Sequence, residues 1–381
     1  MKNHQPGHDH DPLLCILPPH MLEEIASKGS QTQREFAERT LATEGGFREN
    51  RQVGFLQFAT TQIKPAASAE KQRTVYTANN GTSLPGEKAR AEGEPATGDA
   101  AVDEAYDGSG ATYDFYKELF DRNSIDDKGM GLSSTVHYDQ GFDNAFWDGK
   151  QMVYGDGDEN LPPEDRIFNR FTIDIAIIAH ELTHGVSSFE ARLVYENQPG
   201  ALNEHFSDVF GSLVKQKQLN QTADQADWIV GEGLFTGNVN GVGIRSLKAP
   251  GTAYNDPLLG KDPQPGHMDD FVNTTKDHGG VHINSGIPNK AFYLAATTMG
   301  GFAWEKAGRI WYVTLRDKLG ARSNFSEAAG ATIATAGQLY EMDSPEQAAV
   351  RRAWDLVGVA AVEGDEPQKG CFGAVQRAFG M

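Results

Sequence analysis

Residues 172–187 read TIDIAIIAHELTHGVS. The run is apolar almost all round, the pattern of a helix buried in the middle of a protein rather than lying on its surface. His180 and His184 are four residues apart, so on that helix they share one face and both imidazoles can reach one metal ion. Glu181 stands between them, placed to lie near a metal-bound water and take its proton. Two histidines and a glutamate are costly in apolar surroundings without partners, which is a second reason to read the cluster as a metal site.

Further along, residues 200–208 read GALNEHFSD. Glu204 is a third ligand at plausible spacing, and Asp208 lies four residues on, on the same helical face. A carboxylate there suits the outer shell, accepting a hydrogen bond from the free nitrogen of a ligating histidine. Taken alone, the pair would read as ordinary solvated acids; beside the first motif it reads as part of one site. Leu202, Phe206, Val209, Phe210, Leu213 and Val214 recur at helical period, so 201–217 is expected to be a helix.

Upstream the texture changes. Residues 74–171 hold strand and turn patterns, as in TVYTANNGTSLPG, with one helical interruption near TYDFYKELFDRN. Near the end, Ser344-Pro345-Glu346-Gln347 reads as a helix start, with a cap, a first-turn proline and a capping-box glutamine. No internal repeat is visible. The expected fold is α+β: a β-rich N-terminal lobe, then a mainly helical lobe, with the apolar helix at the seam.

The first 50 residues differ from this body. A polar His/Asp/Pro-rich start leads into CILPPHMLEEIASKG and a short helical pattern, too small a piece to build a core of its own. Residues 51–73 look like a linker or processing region, and the tail from about 359 matches nothing interpretable. Lys and Arg total 34 against 53 Asp and Glu, a formal net charge of -19, which argues against nucleic acid as a partner. No apolar run approaches the roughly 20 residues of a membrane span. The N-terminus has one lysine and an apolar patch only from Leu13 to Leu17, which is not a Sec signal peptide. Secretion by a non-classical route, or residence in the cytoplasm, is the expectation. Cys15 and Cys371 are nearly the whole chain apart and are expected to be separate thiols.

HELTH at 180–184, GALNEHFSD at 200–208 and DHGGVHINSG at 277–286 resemble, in order and spacing, the signature blocks of the thermolysin family of zinc metalloproteases. NAFWDG at 144–149 is similar to that family's substrate-binding edge strand. The resemblance covers roughly 74–358, and the short prosegment with its PPHML motif points to the protealysin-like branch. It implies a propeptide over 1–50, a catalytic N-terminal lobe over 74–187 and a helical lobe over 188–358. It implies one zinc ion held by His180, His184 and Glu204, with Glu181 as general base. His282, oriented by Asp277, would donate to the oxyanion formed from the scissile carbonyl, with Tyr195 helping. Asn144, Ala145 and Arg245 would hold the backbone of a protein or peptide substrate. Phe168, Ile177, Val230, Leu234 and Ile244 would line an apolar pocket, favouring cleavage before bulky hydrophobic residues.

The sequence departs from calcium-binding relatives at two ligand positions, which here hold Ala176 and Lys215. An ammonium group repels calcium, so the paired calcium site is expected to be lost or weakened, although Asp224, Asp227 and Glu232 remain nearby. GDGDEN at 155–160 reads as a turn rather than a calcium loop. The prosegment is expected to lie on the catalytic domain as an intramolecular inhibitor. Within it, Cys15 reads as an ordinary buried thiol, with Cys15 or His20 at the metal's open position as the alternative. The competing functions are a catalytically silent relative kept for binding and a non-proteolytic zinc hydrolase.

Overall fold

The computed structural model describes residues 14–43 and 70–362. A strand β1 (Leu14–Cys15) leads into helix α1 (Pro19–Lys28) and then α2 (31–43). Beyond it come β2 (Arg73–Thr77), β3 (Glu87–Ala91), α3 (Ala100–Phe120), β4 (Leu132–Val136), β5 (Ala145–Trp147) and β6 (Met152–Tyr154). The strands form one sheet in the order β1-β5-β6-β4-β2-β3, with β2/β4 and β4/β6 parallel and the other pairs antiparallel. From α4 (Ile175–Phe189) and α5 (Asn197–Gln218) onward the chain is helical, broken by the two-residue strands β7 (Ile229–Val230) and β8 (Arg245–Ser246), then β9 (Asn255–Asp256) and β10 (Gly260–Lys261). Helices α6 (Asp277–Asn284), α7 (Gly286–Met299), α8 (Ala307–Asp317), α9 (Phe325–Tyr340) and α10 (Pro345–Leu356) complete it. This is the expected arrangement of a β-containing N-terminal region and a helical C-terminal one.

Helix α4 starts where Asp174 caps it, its side chain accepting from Ala176 N at 3.0 Å; such a cap stabilises a helix by about 1 kcal/mol. Its apolar sequence is explained by burial, since every residue from Ala176 to Ser187 is enclosed. Helix α5 packs closely against it. A Cβ added at Gly211 would meet the Ala176 carbonyl oxygen at 2.6 Å, so only glycine allows this approach. That proximity brings a carboxylate of α5 to two imidazoles of α4.

Helix α3 is far longer than the interruption expected around residues 112–123. Asp99 caps it by accepting from Ala101 and Val102 N. Its Gly108-Ser109-Gly110 stretch has poor helix propensity, and close packing compensates for it. A Cβ at Gly108 would sit 2.5 Å from Ile178 Cδ1 of α4. In α10 the Ser344 side chain caps Gln347 N as expected, but Gln347 Oε1 turns to Asp343 N instead of closing a capping box. The complete box lies at α9, between Asn324 and Glu327.

NAFWDG was expected at an edge, and β5 is instead covered by β1. Ile16, Leu17, Met21, Leu22 and Ile25 are fully buried and join the main hydrophobic core. Helix α2 also docks on the sheet side: Phe36 packs where a Cβ at Gly141 would lie 2.4 Å from its ring, and Gly141 has φ +68°. Cys15 is buried and in no disulfide among the described residues, while Cys371 lies outside them. Among the described residues no helix is long and apolar enough to cross a membrane.

Candidate active site

Helix α4 presents His180 and His184, and α5 presents Glu204, all with fully buried side chains. The two Nε2 atoms face each other at 3.0 Å. Glu204 Oε2 lies 3.5 Å from His180 Nε2, and Oε1 lies 3.4 Å from His184 Nε2. Two imidazoles meet nitrogen to nitrogen beside Glu204 Oε2, a carboxylate oxygen with no hydrogen-bond partner among the described residues, and such a donor set is arranged to close on a cation. Its chemistry, two nitrogens and one oxygen with room for a further ligand, fits zinc. Burial pushes the His184 pKa down to about 3, so the ring is neutral at pH 7, the form a ligand takes. Among the described residues, this is the one group of three or more such side chains that could close on an ion.

The outer nitrogens are also held. His180 Nδ1 lies 2.9 Å from Asp208 Oδ1, on a bent approach. His184 Nδ1 lies 2.9 Å from Asn203 Oδ1 and 3.0 Å from Ser207 Oγ. Asp208 is clamped by Arg245, whose Nη2 donates to Oδ1 at 2.8 Å and Nε to Oδ2 at 2.9 Å, and by Asn289 Nδ2 at 2.8 Å. Burial alone would raise the Asp208 pKa; Arg245 and His180 hold it well below the usual carboxylate range.

Glu181 Oε2 accepts from Trp147 N at 3.0 Å, while Oε1 is buried without a partner among the described residues. Burial, then the Glu204 charge, raises its pKa well above the ordinary value. Opposite stands His282. Residues Asp277 to Gly280 all have left-handed φ, from 49° to 86°, so this stretch is a tight turn rather than helix. The turn folds Asp277 back onto its neighbour: Oδ1 lies 2.6 Å from His282 Nδ1, and Oδ2 accepts His282 N at 2.9 Å. Burial opposes charge on His282, but Glu204 and Asp277 outweigh it and raise the pKa to about 9. Tyr195 OH lies 3.1 Å from His282 Nε2 and donates to Glu204 Oε1.

An extended peptide lies across these groups, and it is the chain's own segment 14–17. Leu14 and Cys15 pair antiparallel with Trp147 and Phe146. Ile16 N donates to Ala145 O at 3.1 Å, and Leu17 N donates to Asn144 Oδ1 at 2.9 Å. Arg245 Nη1 donates to Ile16 O at 2.9 Å, and His282 Nε2 lies 3.0 Å from Cys15 O. Phe168, Ile177, Val230, Leu234 and Ile244 are buried in the same core cluster as Ile16. A backbone bond joins two of them, Ile244 N to Val230 O at 2.8 Å, and Asn169, next to Phe168, donates its N to Leu234 O at 2.8 Å. His20 is turned to Tyr254, Nε2 to OH at 2.8 Å, rather than to the metal cluster.

Comparison with known proteins meets this geometry directly. Residues 47–188 match the thermolysin metallopeptidase catalytic domain, and 191–359 match its alpha-helical domain. The chain belongs to the thermolysin family of metallopeptidases. It is 49% identical over 350 residues to an extracellular metalloprotease of Pectobacterium carotovorum subsp. carotovorum, covering 91% of this chain and 97% of that one. A thermolysin of Alicyclobacillus acidocaldarius subsp. acidocaldarius is 39% identical over 74% of this chain and 50% of its own length. The solved precursor of protealysin from Serratia proteamaculans superposes with a TM-score of 0.81 at 51% identity, covering 91% of this chain and all of that one. Membership makes the chain a metalloendopeptidase of a zinc-using family.

Three contributors escaped the sequence reading. Asn203 stands next to Glu204 in the quoted segment, and its amide was a readable signal for a histidine partner. Ser207 had a weaker one. Asn289 lies 81 residues from Asp208 and carries no local signal.

Proposed function

We propose that this metalloendopeptidase is a zinc enzyme made as a zymogen, cutting peptide bonds before bulky hydrophobic residues and held latent by residues 1–50. The observation that carries the reading is segment 15–17, hydrogen-bonded along β5 with its Cys15 carbonyl at His282 Nε2, beside the His180–His184–Glu204 cluster. Zinc held by those three residues would supply a Lewis acid that acidifies water and polarises a carbonyl. Glu181, with Oε2 pinned by Trp147 N and Oε1 unpartnered, takes the proton of the attacking water. His282, fixed by Asp277, donates to the carbonyl oxygen as negative charge develops, and Tyr195 supports the same oxygen. Asn144, Ala145 and Arg245 grip the substrate backbone as they grip residues 16 and 17. The apolar pocket takes the next side chain. An internally quenched peptide with a Gly-Leu or Gly-Phe bond should be cut before the hydrophobic residue, faster as the prosegment is lost, and not in 1,10-phenanthroline. No turnover by zinc-loaded chain lacking residues 1–50 would overturn the reading. The relatives named extracellular support action outside the cell.

We also propose that Lys215 takes the place of the calcium pair. Its buried ammonium lies 2.8 Å from Asp227 Oδ2 and 2.7 Å from Glu232 Oε2. Asp174 accepts Gly231 and Glu232 N, so these acids are already engaged. Of the GDGDEN acids, Asp156 is engaged by His137, and Asp158 Oδ2 accepts Ile167 and Phe168 N while its Oδ1 has no partner among the described residues. The melting temperature should therefore ignore EGTA, and Lys215→Met should cost about 1–2 kcal/mol, since its partners are partly exposed. A clear loss of stability on EGTA treatment would refute this.

Latency should weaken in mild acid. Burial lowers the His20 pKa to about 4 from 6.5; Asp277 and Glu23 favour its charge, and His282 and Arg245 oppose it. Above pH 6.5 His20 is neutral whether docked or released, so docking carries no proton cost. As pH falls from 6.5 to 4 the released prosegment gains a proton that the docked one refuses, costing up to about 3 kcal/mol of docking. His282, raised to about 9, and Asp277, held low, do not change charge in that window. Limited proteolysis of residues 14–43 should accelerate between pH 7.5 and 5, and His20→Gln should flatten the profile. An unchanged profile in that variant would remove His20 from the account.

A further inference from the structure

Residues 14–17 do more than fill the cleft; they lie in it in one register. Four bonds define this register: Ile16 N to Ala145 O, Arg245 Nη1 to Ile16 O, Leu17 N to Asn144 Oδ1, and His282 Nε2 at Cys15 O. The carbonyl facing His282 belongs to Cys15, and the residue that follows it, Ile16, is aliphatic and fully buried in the core cluster that holds the five pocket residues. A blocking segment need not run this way. Reversed or shifted by one residue, it would put another atom at His282 and leave the Arg245 and Asn144 bonds unmade.

We infer that the Cys15–Ile16 peptide bond is the chain's own first substrate, hydrolysed in cis while the prosegment still occupies the cleft. This rests on the zinc-peptidase reading above. The cut breaks the C–N bond between Cys15 and Ile16. One water supplies oxygen to the Cys15 carbonyl carbon, giving a carboxylate, and a proton to the Ile16 nitrogen, giving an amine. Proximity favours it, because the bond is already aligned and no encounter is needed. The cut alone does not open the cleft. Downstream of it, α1 stays docked through Met21, Leu22 and Ile25, and Lys276 Nζ holds Glu23 at 2.9 Å. Upstream, residues 14 and 15 keep their pairing with β5. Activation is thus a cut followed by a slower release.

The test is a time course of the full-length chain with zinc, read by intact mass, alongside hydrolysis of a quenched external peptide. The fragment 1–15 should appear before any other, at a rate unchanged over a tenfold range of protein concentration. Glu181→Gln should yield none, yet its Ile16 and Leu17 amides should be strongly protected from hydrogen exchange, a readout that needs no turnover. Ile16→Leu should keep the cut and Ile16→Asp should slow it at least tenfold. External hydrolysis with Cys15–Ile16 intact, a rate proportional to concentration, or unprotected amides at 16 and 17 would overturn the inference and leave the peptidase reading standing. Absence of external hydrolysis after removal of residues 1–50 would remove both.

Discussion

Glu181→Gln is expected to lower kcat/KM on a peptide by about 10³-fold, the scale of a lost general base, with zinc content and fold unchanged. Glutamine keeps the size and an acceptor for Trp147 N, the one hydrogen bond that positions the side chain at 3.0 Å. It cannot accept a proton on the atom that matters, the buried Oε1 with no partner among the described residues. Nor should the variant unfold more easily, because burial already penalises the carboxylate and a neutral amide relieves that penalty. The pair of measurements is therefore decisive. Zinc by atomic absorption and the melting temperature should match wild type while turnover collapses. A variant retaining a tenth of the activity would show that another group takes the proton.

What the sequence made legible follows from where its constraints are local. Helix α4 could be read because burial on every side forces an apolar run and a four-residue spacing aligns two histidines. Glu204 and Asp208 could be read because they repeat that spacing. Helix α3 was under-read because its Gly-Ser-Gly centre violates helix propensity, and the compensation comes from Ile178 of α4 and Arg73 of β2, contacts no local pattern encodes. The strand that pairs with the substrate-binding edge at NAFWDG could not be read, because a two-residue strand like β1 exists only through its partner β5. Lys215 was expected, from the sequence, to weaken a calcium site. That its ammonium reaches Asp227 and Glu232 is a property of the folded chain. Asn289 shows the same boundary, a second-layer residue supplied by a distant helix.

Asp208→Ala is expected to be the most destabilising single change near the site, by about 3–5 kcal/mol, because it leaves a charge buried without its partner. Arg245 is 1% exposed and makes its charged contacts with Asp208 through both Nε and Nη2. With alanine at 208, the guanidinium keeps its bond to Ile16 O but loses its counter-charge, and Asn289 Nδ2 loses its acceptor as well. His180 would lose the carboxylate that orients its ring, which should weaken zinc about 10–100-fold. Asp208→Asn separates the two effects: it keeps the shape and an acceptor for one donor while discarding the charge. The pH dependence gives the sign. A carboxylate held far below its ordinary pKa contributes stability that is full above pH 4 and fades only in stronger acid. The gap in urea midpoint between wild type and either variant should therefore stay constant from pH 5 to 8. A gap that shrank within that range would mean that some other group, and not the Asp208–Arg245 pair, carries the stability.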